Sequence, residues 1–415
     1  MSRSLRQDAL TIVEESIRHV LPDNAVKEKL KELNLSRVVL VAIGKAAWRM
    51  AKAAKEVLKE KIEKGIVITK YGHSEGEIKG LEIYEAGHPV PDENTIRATE
   101  RALEIVKDLS EEDTVLFLIS GGGSSLFEKP KGSVTLKQLQ NITDQLLKSG
   151  ANIGQINAVR KHLSEVKGGR FAQKVFPARV VCLILSDVLS NRLDVIASGP
   201  AHPDLSTSED ALKVLEKYNV QVDENVLKEL KDETPKILSN VESYIVADLK
   251  LACEKAVEVA ERLGYNTAIL TTSLECEARE AGFFVGSIAK ELVLHDRPVK
   301  KPCALVLGGE TVVRVKGKGK GGRNQELALA AALKIDGLDN VVVCSVGTDG
   351  TDGPTDAAGG IVDGKTVQRI KDAGFDPEEF LENNDSYNAL KISKDLLITG
   401  PTGTNVNDLI LILAR

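Results

Sequence analysis

Apolar runs of strand length alternate with helical periodicities along almost the whole chain, and few architectures accept that alternation. Val38-Val-Leu-Val-Ala-Ile43 reads as a buried strand, and 45–64 as a long helix. Strands follow at 65–69 and 114–119, with a helix over 93–108 between them. The series continues through strands at 179–185, 243–247, 267–271, 303–307 and 341–346, with helices at 248–263 and 275–294. Near-continuous Val, Ile and Leu suits strands buried on both faces, as in parallel sheets covered by helices. The expectation is an α/β protein built of doubly wound, Rossmann-like parallel sheets with helices on both faces.

A chain of 415 residues should form two or three domains. The predicted boundary lies near 232–242, where Asp232-Glu-Thr-Pro-Lys236 follows a charged helix and precedes a fresh strand–helix–strand series. This gives an N-terminal Rossmann-like domain over 1–236 and a smaller α/β domain over 237–415. The final apolar run, 406–414, reads as a last strand that either sheet could take. With 55 basic and 61 acidic residues the net charge is −6, without blocks of like charge, which argues against a nucleic-acid or membrane-surface partner. No apolar run reaches the roughly 18 residues of a membrane helix, and the first residues lead into an amphipathic helix rather than a signal segment. Five scattered cysteines read mostly as reduced core residues of a cytoplasmic protein. Oligomeric state is not legible in the sequence.

Ligands of open α/β sheets sit beyond the carboxyl ends of the strands, so the residues just after each apolar run carry the information. After 38–43 comes Gly44-Lys45, a tight turn that puts an ammonium beside free backbone N–H groups, or simply a surface lysine at a helix start. After 114–119 comes Ser120-Gly-Gly-Gly-Ser-Ser125. Three glycines lose much entropy in a fixed loop, and a close approach of phosphate to backbone amides would explain them. Ser186-Asp187 follows 179–185, and Asp349, Asp352 and Asp356 alternate with Thr and Gly after 341–346. Hard oxygen ligands on such a turn suit Mg²⁺ held together with substrate phosphates, against the plainer reading of an Asx-turn loop.

Two motif matches mislead. Gly359-Gly-Ile-Val-Asp-Gly-Lys-Thr366 fits the phosphate-binding P-loop by letters, but no buried strand precedes it and its interior is β-branched and acidic. Gly317-Lys-Gly-Lys-Gly-Gly322 fits G-x-G-x-x-G, but follows 311–316, a charged strand expected to pair in a hairpin after Gly308-Gly309. That segment reads instead as a basic glycine loop that meets anions and ends at Arg323 on a helix start. His88, in Gly87-His-Pro-Val-Pro91, and His162 read as structural or packing residues as readily as functional ones. No zinc spacing and no Gly-x-Ser-x-Gly elbow occurs.

Taken together, the motifs resemble the class II glycerate kinases, which join a kinase-type N-terminal domain to a C-terminal domain of the MOFRL type. The resemblance covers nearly the whole chain. It rests on Ile43-Gly-Lys-Ala46, Ala86-Gly-His-Pro-Val-Pro-Asp92, Ser120-Gly-Gly-Gly-Ser-Ser-Leu126 and Val159-Arg-Lys-His-Leu-Ser164 with Lys167-Gly-Gly-Arg170. It continues through Ile196-Ala-Ser-Gly-Pro200, Gly308-Gly-Glu-Thr311, Gly321-Gly-Arg-Asn-Gln-Glu326, the 347–356 loop and Thr399-Gly-Pro-Thr-Gly-Thr-Asn-Val-Asn-Asp408. The chain departs from the family at 188–194, where a Pro-Gly stretch with further acids is usual, and at Asn388-Ala-Leu390, where an aromatic pair often stands.

The resemblance implies transfer of the γ-phosphoryl group of ATP to D-glycerate, giving 2-phosphoglycerate. Phosphoryl transfer needs positioning and charge neutralisation more than covalent help. Lys45 and Arg323 are accordingly expected at the transferring phosphate or the substrate carboxylate. Lys45 with Ser120, Gly121, Gly122, Gly123, Ser124 and Ser125 is expected to hold the nucleotide. Asp187 or Asp349 would take the hydroxyl proton or hold Mg²⁺ or another divalent cation, with Asp349 and Asp352 as the metal candidates. Because these residues fall on both sides of the boundary, the site is expected in the interdomain cleft. The rival reading is an NAD(P)H-dependent hydroxypyruvate reductase, which should show a buried strand running into G-x-G-x-x-G.

Overall fold

Every residue of β1 (Val38–Ile43) and of β4 (Thr114–Ile119) is buried, as central strands of a helix-covered sheet must be. In the computed structural model, which describes residues 4–415, these two strands pair in parallel with Ile43 opposite Ile119. Outward from β1 lie β2 (Ile62–Lys70) and β3 (Glu82–Ala86), and beyond β4 lie β5 (Arg179–Leu185) and β6 (Val241–Ala247). The order β3-β2-β1-β4-β5-β6 reverses direction between β1 and β4, and the carboxyl ends of those two strands open the crevice that this topology reserves for a ligand. Phe117, Phe127 and Phe171 pack ring on ring in the core beside β4.

The helix expected over 45–64 is shorter. It runs Ala47–Leu58, and Lys59 then takes a positive φ of 50°, after which a single 3-10 turn leads into β2. Ile62, read as helical, is instead a buried residue of β2, paired with Val38.

The chain forms two units, Pro22–Val246 in one, and the segment ending at Leu21 together with Ala247–Arg415 in the other. β6 therefore completes the first sheet, and the division falls after it rather than at 236. The expected linker is an anchored segment: Asp232 pairs with Lys131 and Arg170, and Thr234 Oγ1 donates to Asp204 at 3.0 Å. At the other end of the sequence, the helix Leu5–His19 packs in the second unit, where Tyr265 donates to Asp8 at 2.6 Å and Arg6 pairs with Asp395 at 2.7 Å.

The second unit contains β7 (Asn266–Leu274), β8 (Cys303–Gly309), β9 (Val341–Gly347), β10 (Gly359–Asp363), β11 (Leu396–Leu397) and β12 (Asp408–Ala414), in the order β11-β10-β9-β12-β8-β7. β12, whose sheet the sequence left open, fills the middle of this sheet and runs antiparallel to both β8 and β9. The sheet is thus mixed, and a purely parallel doubly wound architecture holds for the first unit only. Continuous apolar runs report burial on both faces, and burial is indifferent to strand direction. The hairpin strand expected over 311–316 does not form: Val312 makes one bridge to Glu277, and the amides of Lys316 and Gly317 donate to the Asn384 side chain.

Candidate functional site

At the carboxyl ends of β1 and β4 two turns are laced together. Lys45 N–H donates to Gly121 O at 2.9 Å, Ala46 N–H to Ser120 Oγ at 3.0 Å, and Ser120 N–H to Ile43 O at 3.0 Å. The serine hydroxyls, expected to face a nucleotide, are used inside the protein. Ser120 Oγ is buried between the two turns, Ser124 Oγ meets Ser198 Oγ at 3.0 Å, and Ser125 Oγ donates to Gly122 O at 3.1 Å. What remains for a ligand is backbone: among the described residues, the amides of Gly121 and Gly122 find no acceptor. Gly122, at φ 86°, leads into a short helical turn, Gly123–Leu126. The half-buried Lys45 side chain forms no ion pair among the described residues, and its Cγ would lie 3.4 Å from a Cβ on Gly122, so a lysine side chain stands beside two open N–H groups.

The glycines also admit neighbouring side chains. A Cβ on Gly121 would collide with Asp187 Oδ2, which places Asp187 against the turn. A Cβ on Gly122 would lie 2.9 Å from Cδ2 and 3.0 Å from Nε2 of His88, and 3.4 Å from Lys45 Cγ. His88 therefore stands in the site. Burial above all, then the charges of Lys45, Lys70 and His73, bring its imidazole down to about 4, so it is neutral in ordinary buffers. In the sequence His88 stands beside a proline and within the Ala86–Asp92 motif, and neither signal separates a site residue from a structural one. From beneath, Lys167 Nζ donates to Ser124 O at 2.7 Å and Phe127 O at 2.9 Å, and Arg160 also donates to Ser124 O. His162 is fully buried with Nδ1 2.8 Å from Ala158 O, a packing residue.

In the second unit Arg323, Asp349 and Asp352 line one cavity of about 620 Å³, together with Glu326 and Asn384. Arg323 is not a bare cation. It forks onto Asp408 at 2.6 and 3.0 Å and reaches Glu310 at 3.0 Å, an arrangement that spends three of its five N–H groups. Asp408 is 2% exposed, and burial pushes its carboxyl up to about 6 against the pull of Arg323. Asp352 is occupied as well: its carboxylate accepts from the amides of Asn324 and Gln325 at the start of the helix Arg323–Lys334, and from the Gln325 side chain at 2.9 Å. An N-terminal cap saturated by donors does not fit a metal ligand, which overturns the expectation for that residue. Asp349 accepts from Thr351 N–H at 2.9 Å in the Asx turn. Among the described residues no three His, Cys, Asp or Glu side chains group as a metal cage. Of the two metal candidates, Asp349 keeps one carboxylate oxygen, Oδ2, without a hydrogen bond among the described residues, which a hard cation could use.

The two misleading motifs are also accounted for. Gly359 and Gly360 lie within β10, paired with Val346 and Ser345, and Lys365 is exposed. The 317–322 segment hangs on 383–387, with Gly319 N–H donating to Asn383 O and Lys320 N–H to Asp385.

A sheet in Rossmann order with a cation and open amides at its reversal point, and a second unit with an arginine-lined cavity, define an α/β phosphotransferase. Residues 8–231 match the family model described as a domain of unknown function (DUF4147), and residues 303–408 match the MOFRL family. The protein named D-glycerate 2-kinase in Thermotoga maritima is 65% identical over 98% of both chains, and the one named glycerate 2-kinase in Pyrococcus horikoshii 43% identical over 99% of this chain and 98% of its own. The crystal structure of glycerate kinase from Thermotoga maritima superposes with a TM-score of 0.98 at 65% identity, covering 99% of each chain. A relative in Agrobacterium vitis, 40% identical over 99% of this chain and 94% of its own, carries a hydroxypyruvate reductase name. The chain belongs to the glycerate 2-kinase family.

Proposed function

We infer that this protein transfers the γ-phosphoryl group of ATP to D-glycerate, giving 2-phosphoglycerate and ADP. The observation that carries the reading is the Lys45 side chain, without an ion pair among the described residues, standing beside the open amides of Gly121 and Gly122 at the β1/β4 reversal. Those groups neutralise and orient phosphate oxygens, which is most of what phosphoryl transfer asks of a protein. Asp187, held against Gly121, is the carboxylate placed to accept the hydroxyl proton of glycerate. Arg323 keeps two N–H groups beyond those given to Asp408 and Glu310, enough for one further carboxylate or phosphate oxygen. A Mg²⁺ bound with the nucleotide would supply charge neutralisation at the β- and γ-oxygens, with Asp349 as its protein neighbour.

The reductase reading lacks support, since no buried strand runs into the only G-x-G-x-x-G, whose segment is bound to 383–387. Among the described residues no helix is long and apolar enough to cross a membrane. Free thiols at Cys182, Cys253, Cys303 and Cys344, all buried, support a reducing cytoplasmic setting. The test is to incubate the protein with ATP, Mg²⁺ and D-glycerate, and separately with NADH and hydroxypyruvate, and to identify the products by NMR. ATP-dependent 2-phosphoglycerate is expected. NADH oxidation without it would reverse the assignment.

A further inference from the structure

We propose that His88 contacts the acceptor substrate, its unprotonated ring nitrogen taking the hydrogen bond of the glycerate hydroxyl that is to be phosphorylated. This rests on the kinase reading above. Three observations on the first unit carry it. The imidazole lies against Gly122, with Nε2 3.0 Å from where a Cβ would stand, and Lys45 Cγ closes on the same point. Neither ring nitrogen has a hydrogen-bond partner among the described residues, although the side chain is half-buried, whereas the buried His162 is tied to a backbone carbonyl. An imidazole without a protein partner, set against a glycine turn at a strand-end crevice, is open to a ligand atom.

The chemistry of the surroundings selects what that atom is. Lys45, Lys70 and the amides of Gly121 and Gly122 are all donors or positive charges. They suit phosphate and carboxylate oxygens. A hydroxyl that must turn its lone pair towards phosphorus needs the opposite, an acceptor for its own hydrogen. Two side chains with acceptor atoms stand close to Gly121 and Gly122, the Asp187 carboxylate and the imidazole of His88. An imidazole kept uncharged chiefly by burial, then by the Lys45 and Lys70 charges, retains the lone pair this requires; it orients the one hydroxyl hydrogen before reaction, and that proton shifts to the Asp187 carboxylate as the oxygen–phosphorus bond forms.

A purely structural His88 would shape the glycine turn, and its loss would then weaken nucleotide binding. The two roles therefore separate by which substrate suffers. His88→Leu and His88→Gln should be compared with the unaltered protein for kcat and KM with D-glycerate and with ATP, for ADP affinity by calorimetry, and for melting temperature. The expected result for His88→Leu is a fall of about 100-fold in kcat/KM for glycerate, with ADP affinity within about 3-fold of normal. His88→Gln, which keeps an acceptor on a similar stem, should recover about 10-fold of that loss, and it carries the test if the leucine variant does not fold. Unchanged glycerate kinetics in either folded variant, or a loss confined to ADP affinity, would overturn the proposal while leaving the kinase reading intact. If the unaltered protein neither binds nor phosphorylates glycerate, the kinase reading falls, and this assignment with it.

Discussion

Gly121 and Gly122 lack side chains for different reasons, and each reason leads to its own measurement. Gly122 sits at φ 86° and under the His88 ring, so any side chain there is strained twice. Gly121 is free of that backbone constraint, and the only obstacle to a methyl group is Asp187 Oδ2. Gly121→Ala should therefore act by displacing one carboxylate. Turnover of glycerate is expected to fall about 100-fold, the cost of a misplacement near 1 Å, with a melting temperature close to normal. Adding Asp187→Asn to Gly121→Ala should cause little further loss; independent, multiplying losses would show that the methyl acts elsewhere. His88 gives a pH signature. Its folded pKa, about 4, lies below the unfolded value of 6.5, so between those two values the unfolded chain binds more protons. Stability from this group is then present above pH 6.5 and is lost as the pH falls towards 4. Melting temperatures measured from pH 7 to pH 4 should drop further for the unaltered protein than for His88→Gln, and parallel curves would mean that the ring titrates normally in the fold.

The strands were the most legible elements, because 114–119 and 179–185 are apolar without a break and a strand buried on both faces allows little else. Their direction was not legible, which is why β12 in the second sheet had no readable place. The end of the helix expected over 45–64 is not legible, because nothing in Leu58-Lys-Glu-Lys61 announces a residue in the left-handed region. In the candidate site, the positions of Lys45 and the glycine turn just beyond β1 and β4 are readable from the apolar runs before them. The fate of the serines, of Asp352 and of Arg323 was not, since it depends on partners such as Ser198 and Asp408, 74 and 85 residues away. The segment beneath the turn shows the same limit. Lys167 and Glu128 are both fully buried at 3.5 Å, and Glu128 also accepts from Ser164 Oγ. Lys167→Met leaves the buried Glu128 carboxylate with only the longer 3.7 Å ion pair to Arg160, so it should cost about 3 kcal/mol of unfolding free energy in urea titrations. Lys167→Met with Glu128→Leu should recover part of it, because the poorly paired carboxylate is gone while Arg160 keeps its bond to Ser124 O. A double variant no more stable than the single one would mean that Lys167 stabilises the turn chiefly through its bonds to the Ser124 and Phe127 carbonyls.

At the scale of the molecule, the reading assigns one cation to each unit, and the two are embedded differently. Lys45 has no ion pair among the described residues, whereas Arg323 balances the buried carboxylate of Asp408. Truncating Arg323 to alanine would strand that carboxylate and lower stability along with activity. Arg323→Gln is the better probe, because its amide can still donate to Asp408. If both cations bear on the same transition state, a variant lacking one already forgoes most of what the other contributes, and the losses will not multiply. Each of Lys45→Met and Arg323→Gln is expected to lower kcat/KM for ATP-dependent phosphorylation of glycerate about 100-fold. The pair should fall by clearly less than the product of those factors. Lys45→Met should leave the melting temperature within about 2 °C of normal, since a side chain without an ion-pair partner holds nothing together. Arg323→Gln should lower it measurably through the weakened hold on Asp408. Losses in the double variant that multiply in full would assign the two cations to separate steps, and near-normal turnover in both single variants would remove them from the chemistry.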